Sequence, residues 1–165
     1  MESEYSNPAT SSYYAVLCIG EVYLLLPQNQ VRTLEPAFDI QYAQEESIGW
    51  ITVEGTSSPV YCLSKNIEPI REVPDDLHIC ALLNVEEGFY GILCNQVGML
   101  KQSEIQVMSL PECMCTPTIP FNGLVLHDNK VLCVTSADEL LDCIDKQIKP
   151  AVKFVSAKPI TGEAV

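Results

Sequence analysis

His78 and Cys80 stand two residues apart in DDLHICALLN, a spacing that puts an imidazole and a thiol on one side of a strand. That arrangement resembles an activated thiol nucleophile. The plainer reading is stronger: a histidine that follows Pro74-Asp75-Asp76 and opens an apolar run is an exposed residue at the start of a strand. Cys113-Met114-Cys115 lies in a Pro-flanked loop and offers two thiolates to a metal. A one-residue spacing is shorter than that of structural zinc knuckles, and no second cysteine pair or nearby histidine completes a tetrahedral set. Glu45-Glu46, Asp75-Asp76 and Glu86-Glu87 suggest acid and base work, yet adjacent side chains on a turn diverge, and each pair sits in a loop. No glycine-rich loop opens a helix with a following Lys-Ser or Lys-Thr. The expectation is a chain without catalytic residues, metal or cofactor.

Composition narrows the partners. The chain has 165 residues, 47% of them apolar, enough for one domain or two small fused lobes. Its 22 acidic and 9 basic side chains give a formal charge of -13, a field that repels nucleic acid and anionic lipid alike. No run approaches the roughly 18 apolar residues of a membrane span. The first residues, MESEYSNPATSSYY, are polar and acidic, so a soluble cytoplasmic protein with no direct membrane insertion is expected. Of the eight cysteines, Cys18, Cys62, Cys80, Cys94 and Cys133 each sit alone in an apolar, strand-like run, the pattern of buried thiols in a reducing compartment.

The elements that would position these residues are mostly strands. A Ser-rich, disordered leader is expected over 1–12, a domain over 13–145 and a lysine-bearing tail over 146–165. Within the domain, short runs rich in Val, Ile, Leu and Tyr are punctuated by Gly, Pro, Asn and Asp, which argues for an all-β barrel or sandwich. Gly20-Glu21, Glu86-Glu87-Gly88 and His127-Asp128-Asn129 read as tight hairpins. Ser136 to Glu139 forms a capping-box pattern. Leu140, Leu141, Ile144 and Ile148 follow at helical spacing before Pro150, and Cys143 adds to that apolar face. A second short helical piece is expected from Gln28 to Leu34 behind Pro27. A glycine just inside a run recurs at Gly20, Gly49, Gly91 and Gly123, which suits two similar small barrels better than one large one.

The segment Ile48–Leu63, IGWITVEGTSSPVYCL, reads as a β-hairpin with Glu54-Gly55 at its tip. A charge there faces outward and marks a recognition element. In order along the chain, four blocks resemble the CheW-like family of bacterial chemotaxis coupling proteins. A Val-x-x-Val/Ile segment is matched by QVRTL, with Val31 and Leu34. The family's Gly-Val-x-Asn-Leu-Arg-Gly hairpin, followed by Pro, aligns with GWITVEGTSSPVYCL through Gly49, Gly55, Pro59 and Leu63. YGILCNQV matches a third block through Gly91 and Val97, and FNGLVLHDNKVLCVTSADELL, with Gly123, matches the last.

The resemblance implies a mostly β fold of two interlocked five-stranded SH3-like β-barrels with a C-terminal helix. It also implies a non-catalytic adaptor joining the cytoplasmic tips of methyl-accepting chemotaxis receptors to the regulatory domain of a CheA-type histidine kinase. By position, the partner-binding groove would use Val31, Arg32, Thr33, Val53, Glu54 and Gly55, with Gly49, Pro59, Gly91 and Gly123 as structural turns or close-packing points. Val31 and Val53 read equally well as core residues. The chain departs from the family at Thr52-Val53-Glu54, where Asn-Leu-Arg is usual, and at Cys62 and Asn95, where Asp is usual. These changes imply an altered partner surface in a divergent member. An alternative keeps the fold and gives the cysteines a redox or metal-sensing role.

Overall fold

The computed structural model describes residues 12–42, 49–70, 73–114 and 119–147. The expected leader over 1–12, except Ser12, and the tail beyond 147 lie outside the described residues, as do Glu45-Glu46, Cys115, Ile148 and Pro150.

Among the described residues, twelve strands form two curled sheets. The first holds β1 (Tyr13–Ile19), β2 (Val22–Pro27), β10 (Gln96–Lys101), β11 (Gly123–His127) and β12 (Lys130–Val134), in the order β10-β1-β2-β12-β11. The second is built between β2 and β10 from β3 (Val31–Pro36), β4 (Gln41–Tyr42), β5 (Gly49–Val53), β6 (Thr56–Leu63), β7 (Pro69–Ile70), β8 (Ile79–Val85) and β9 (Gly88–Cys94). Its order is β3-β8-β9-β6-β5-β4, with β7 on β6. The second sheet has seven strands, of which β4 and β7 are only two residues each. Among the described residues one α-helix, α1, runs over 137–147.

The hairpin signals correspond to real turns. Ile19 pairs with Val22, Val85 with Gly88 and His127 with Lys130, so each connection is two residues long. Asp128 and Asn129 both have positive φ, 55° and 64°, the geometry that lets a two-residue turn match the twist of its strands.

Three cores explain why so many strands read as unbroken apolar runs. Along β1 and β2, Leu17, Ile19, Leu24 and Leu26 face the second sheet, while Val16, Cys18 and Leu25 face the first lobe's own interior. In β8 and β9, Ala81, Leu83, Tyr90 and Ile92 face between the sheets, and Cys80, Leu82 and Leu93 face the second lobe's interior. Strands with two buried faces need apolar residues at every position.

The helix completes the inter-sheet core with Ala137, Leu140 and Ile144. Ser136 Oγ accepts a 3.1 Å bond from the Glu139 N–H, as the capping box requires. The Tyr90 hydroxyl, buried, donates to the Ala137 carbonyl at 2.7 Å, and the Ala137 N–H donates to Gln30 Oε1 at 2.7 Å. The start of α1 is thereby bonded to both the second sheet and the β2–β3 connection.

The helical piece expected over Gln28 to Leu34 is corrected. Only Gln28–Gln30 forms a single 3-10 turn, and Val31–Pro36 is strand β3. One turn is too short to hold itself, and the alternating half-buried residues Val31, Thr33 and Glu35 pair with β8 instead.

Candidate functional site

Three chain segments meet at one end of the second lobe. Strands β6 and β9 run parallel, so the β5–β6 and β8–β9 turns lie at the same end, and antiparallel pairing with β8 brings the start of β3 there too. The six residues expected to form a groove are thus gathered from positions 31–33 and 53–55.

The β5–β6 turn is tight. Val53 pairs with Thr56, leaving Glu54 and Gly55 as the two turn residues with φ of 55° and 82°. This handedness is easy for Gly55 and costs Glu54 about 1 kcal/mol. Glu54 is held there by a partner. Its Oε1 lies 2.7 Å from Arg32 Nη2 across the mouth of the lobe.

Arg32 reaches that position because β3 is irregular. The register against β8 shifts between Val31 and Thr33, the signature of a β-bulge that re-aims the extra residue. Val31 pairs with Leu83 and packs on the inter-sheet core, whereas Thr33 pairs with Leu82, which faces the second lobe's interior. The Arg32 guanidinium lies over the Phe89 ring, 4.8 Å from its centroid. Thr33 Oγ1 donates to Glu35 Oε2 at 2.8 Å. Val53 and Phe89 both pack half-buried on the second-lobe core.

The mouth is therefore an apolar floor of Val53 and Phe89 under an Arg32–Glu54 bridge, with exposed Glu86 and Glu87 on the neighbouring turn. The arginine and glutamate side chains are 41% and 71% exposed, so the bridge is open to exchange with another charged group. Phe89 belongs to the site although sequence reasoning passed over it; its place one residue into the strand after the Glu86-Glu87 turn was the available signal. Leu34, Phe38 and Trp50 are further exposed apolar residues of this lobe.

The other expected positions, Gly49, Pro59, Gly91 and Gly123, all lie in strands. Gly49 begins β5, Gly91 lies inside β9 and Gly123 begins β11. A β-carbon at Gly91 would stand 2.5 Å from Cys80 Sγ, and one at Gly49 would stand 2.8 Å from the Gln41 carbonyl oxygen. Close packing is what these glycines allow. Pro59 pairs with Trp50 just before β6 begins to pair with β9 at Val60, a place where its missing N–H interrupts no bond to β9.

Two departures from the family pattern make contacts within the molecule. Cys62 is fully buried in the second-lobe core. Asn95 Oδ1 accepts a 2.9 Å bond from the Gly20 N–H, and its own N–H donates to the Cys18 carbonyl, joining the β1–β2 turn to the β9–β10 corner.

No nucleophile is assembled around His78. The imidazole is exposed, with Nδ1 2.9 Å from the Asp76 carbonyl oxygen, while Cys80 is buried. Burial, and secondarily Glu35, pushes the Cys80 thiol up to about 12. Burial, and secondarily Asp76, pushes Cys62 up to about 11, and Cys94 is raised by burial as well. Such thiols resist ionisation and hence thiolate chemistry. Cys113 is exposed in the 3-10 turn Glu112–Met114, and its expected companion Cys115 lies outside the described residues. Among the described residues, no group of three or more His, Cys, Asp or Glu side chains is placed to hold a metal, and no helix is long and apolar enough to cross a membrane.

No protein-family model and no curated protein matches the chain. Among solved structures it is similar to the scaffolding protein TtCheW from Thermoanaerobacter tengcongensis. The TM-score is 0.58 at 17% identity, over 76% of this chain and 88% of that one. That likeness, with two curled sheets and one helix near the C-terminal end of the described chain, makes the fold CheW-like.

Proposed function

We propose that this protein is a non-catalytic, CheW-like signalling adaptor. In this reading it couples methyl-accepting chemoreceptors to the regulatory domain of a CheA-type histidine kinase, in chemotaxis or twitching motility, and works in the cytoplasm. In this reading the two curled sheets are two interlocked SH3-like barrels, with the two short strands β4 and β7 added to the second. The likeness to a scaffolding protein supports an adaptor role.

The observation that carries the reading is the second-lobe mouth, where Val53 and Phe89 form an apolar floor beneath an exposed Arg32–Glu54 pair. An apolar centre ringed by exposed charge is the anatomy of a modest protein–protein contact, and the rigid hairpins fix its shape. Glu54 stands where the family usually carries arginine, so the cognate partner offers a cation to the exposed Glu54 carboxylate. Co-purification of the full chain with the CheA-type kinase and the receptors of its own organism tests the role. Retention of neither excludes it.

A further inference from the structure

The inter-sheet face of the first sheet is wider than what covers it. Leu17, Ile19, Leu24 and Leu26 on that face are buried beneath the second lobe and α1. Cys133 still packs on the same core, but further out along the β11–β12 hairpin the face is open. Leu126 pairs with Val131 and the two are 66% and 52% exposed; Leu124 pairs with Cys133, and Met108, 48% exposed, bridges to Leu124. Alternation places Met108, Leu124, Leu126 and Val131 on one side of the sheet. A contiguous apolar strip of this kind marks an interaction surface.

Geometry and charge select the occupant. Two strands about 4.8 Å apart present a strip about 10 Å wide, the width of one helix. The same face already carries one amphipathic helix, α1, through Ala137, Leu140 and Ile144. The strip ends in carboxylates: Asp128 occupies the turn after β11, and Glu139 accepts a 2.9 Å bond from Asn122 just before β11. Lys130 lies over the Tyr23 ring, 5.1 Å away, and Tyr23 packs on the first lobe's own core. A second copy of the chain would bring another -13 charges to an acidic site.

We propose that the open face of the β11–β12 hairpin docks an amphipathic helix of another protein, with cations at both ends of its apolar stripe. This surface is separate from the second-lobe mouth and does not depend on the reading given for it.

The test uses the full chain and three fluorescein-labelled helical peptides. One carries a Leu/Ile stripe with lysines at both ends, one the same stripe with glutamates, and one the lysines with a polar stripe. Anisotropy should show the first binding roughly tenfold or more tighter than either of the others. Leu126→Thr/Val131→Thr places strand-favouring β-branched residues at both positions and should weaken that binding roughly tenfold. Asp128→Asn with Glu139→Gln preserves the turn and the Asn122 bond, and should flatten the salt dependence. Hydrogen exchange should show peptide-dependent protection over 122–132. Equal binding by the Thr variant, or protection elsewhere, overturns the proposal. A molecular mass that rises with concentration in the wild type but not in the Thr variant would make a second copy the occupant and also overturn it. So would strip amides that lose protection when 148–165 is deleted, which would assign the strip to the chain's own end.

Discussion

Glu54 and Arg32, twenty-two positions apart, face each other across the mouth of the second lobe with 2.7 Å between Oε1 and Nη2. Both side chains are substantially exposed, so the bond shapes the surface more than it stabilises the fold. A double-mutant cycle with Arg32→Ala and Glu54→Ala, read by urea denaturation, should give a coupling of about 0–1 kcal/mol that fades in high salt. A coupling well above that would mean the pair holds the lobe together.

Gly91 should not tolerate a side chain. Its β-carbon would meet Cys80 Sγ at 2.5 Å and Val60 Cγ2 at 3.1 Å, inside a core where every group is fixed. Gly91→Ala is expected to cost about 1–3 kcal/mol in chemical denaturation. Adding Cys80→Ala should recover part of the loss by opening the space the new methyl needs.

The fold was legible where the signals are local. Asp128-Asn129 and Glu54-Gly55 carry their turn chemistry in two residues, and Ser136 with Glu139 spells the start of α1. The β3 segment was misread because Pro27 and a polar QNQ look like a helix start, whereas its strand identity comes from β8, about fifty residues later. The bulge at Arg32, its seat on Phe89 and its bond to Glu54 have no local signature, since each depends on the register between distant strands. The family resemblance places Val31–Thr33 and Val53–Gly55 in one groove, but the Arg32–Glu54 bond within it depends on the fold. Cys62 reads as a buried thiol from its apolar run, whereas Asn95 reads as a surface change because only its departure from a family pattern is visible in the sequence, not its bonds to Gly20 and Cys18.

Tyr90→Phe should loosen α1 selectively. It leaves the Ala137 carbonyl without its buried donor and is expected to cost about 1–3 kcal/mol. Hydrogen exchange should rise first over 137–147 while the β8–β9 amides stay protected. Uniform loss of protection would show that the helix and sheet open as one unit.

The buried thiols set an alkaline limit. Cys80 ionises near 9.0 when unfolded but near 12 when folded, so the unfolded state binds fewer protons above pH 9 and stability falls as pH rises from 9 towards 12. Cys62 behaves alike between 9.0 and about 11. Between pH 8 and 10.5 the urea midpoint should drop more in the wild type than in Cys80→Ala. An identical drop in both would place the alkaline sensitivity in other groups.

Calorimetric titration of the full chain against the regulatory domain of its own organism's CheA-type kinase and a receptor-tip fragment tests the adaptor account most directly, with wild type and Glu54→Arg compared side by side. The account predicts binding by the wild type to at least one of the two, weakened roughly tenfold or more by Glu54→Arg, which replaces a bridge with two adjacent guanidiniums. No binding of the wild type to either would contradict the adaptor role, and equal binding by Glu54→Arg would contradict the second-lobe mouth as its contact surface.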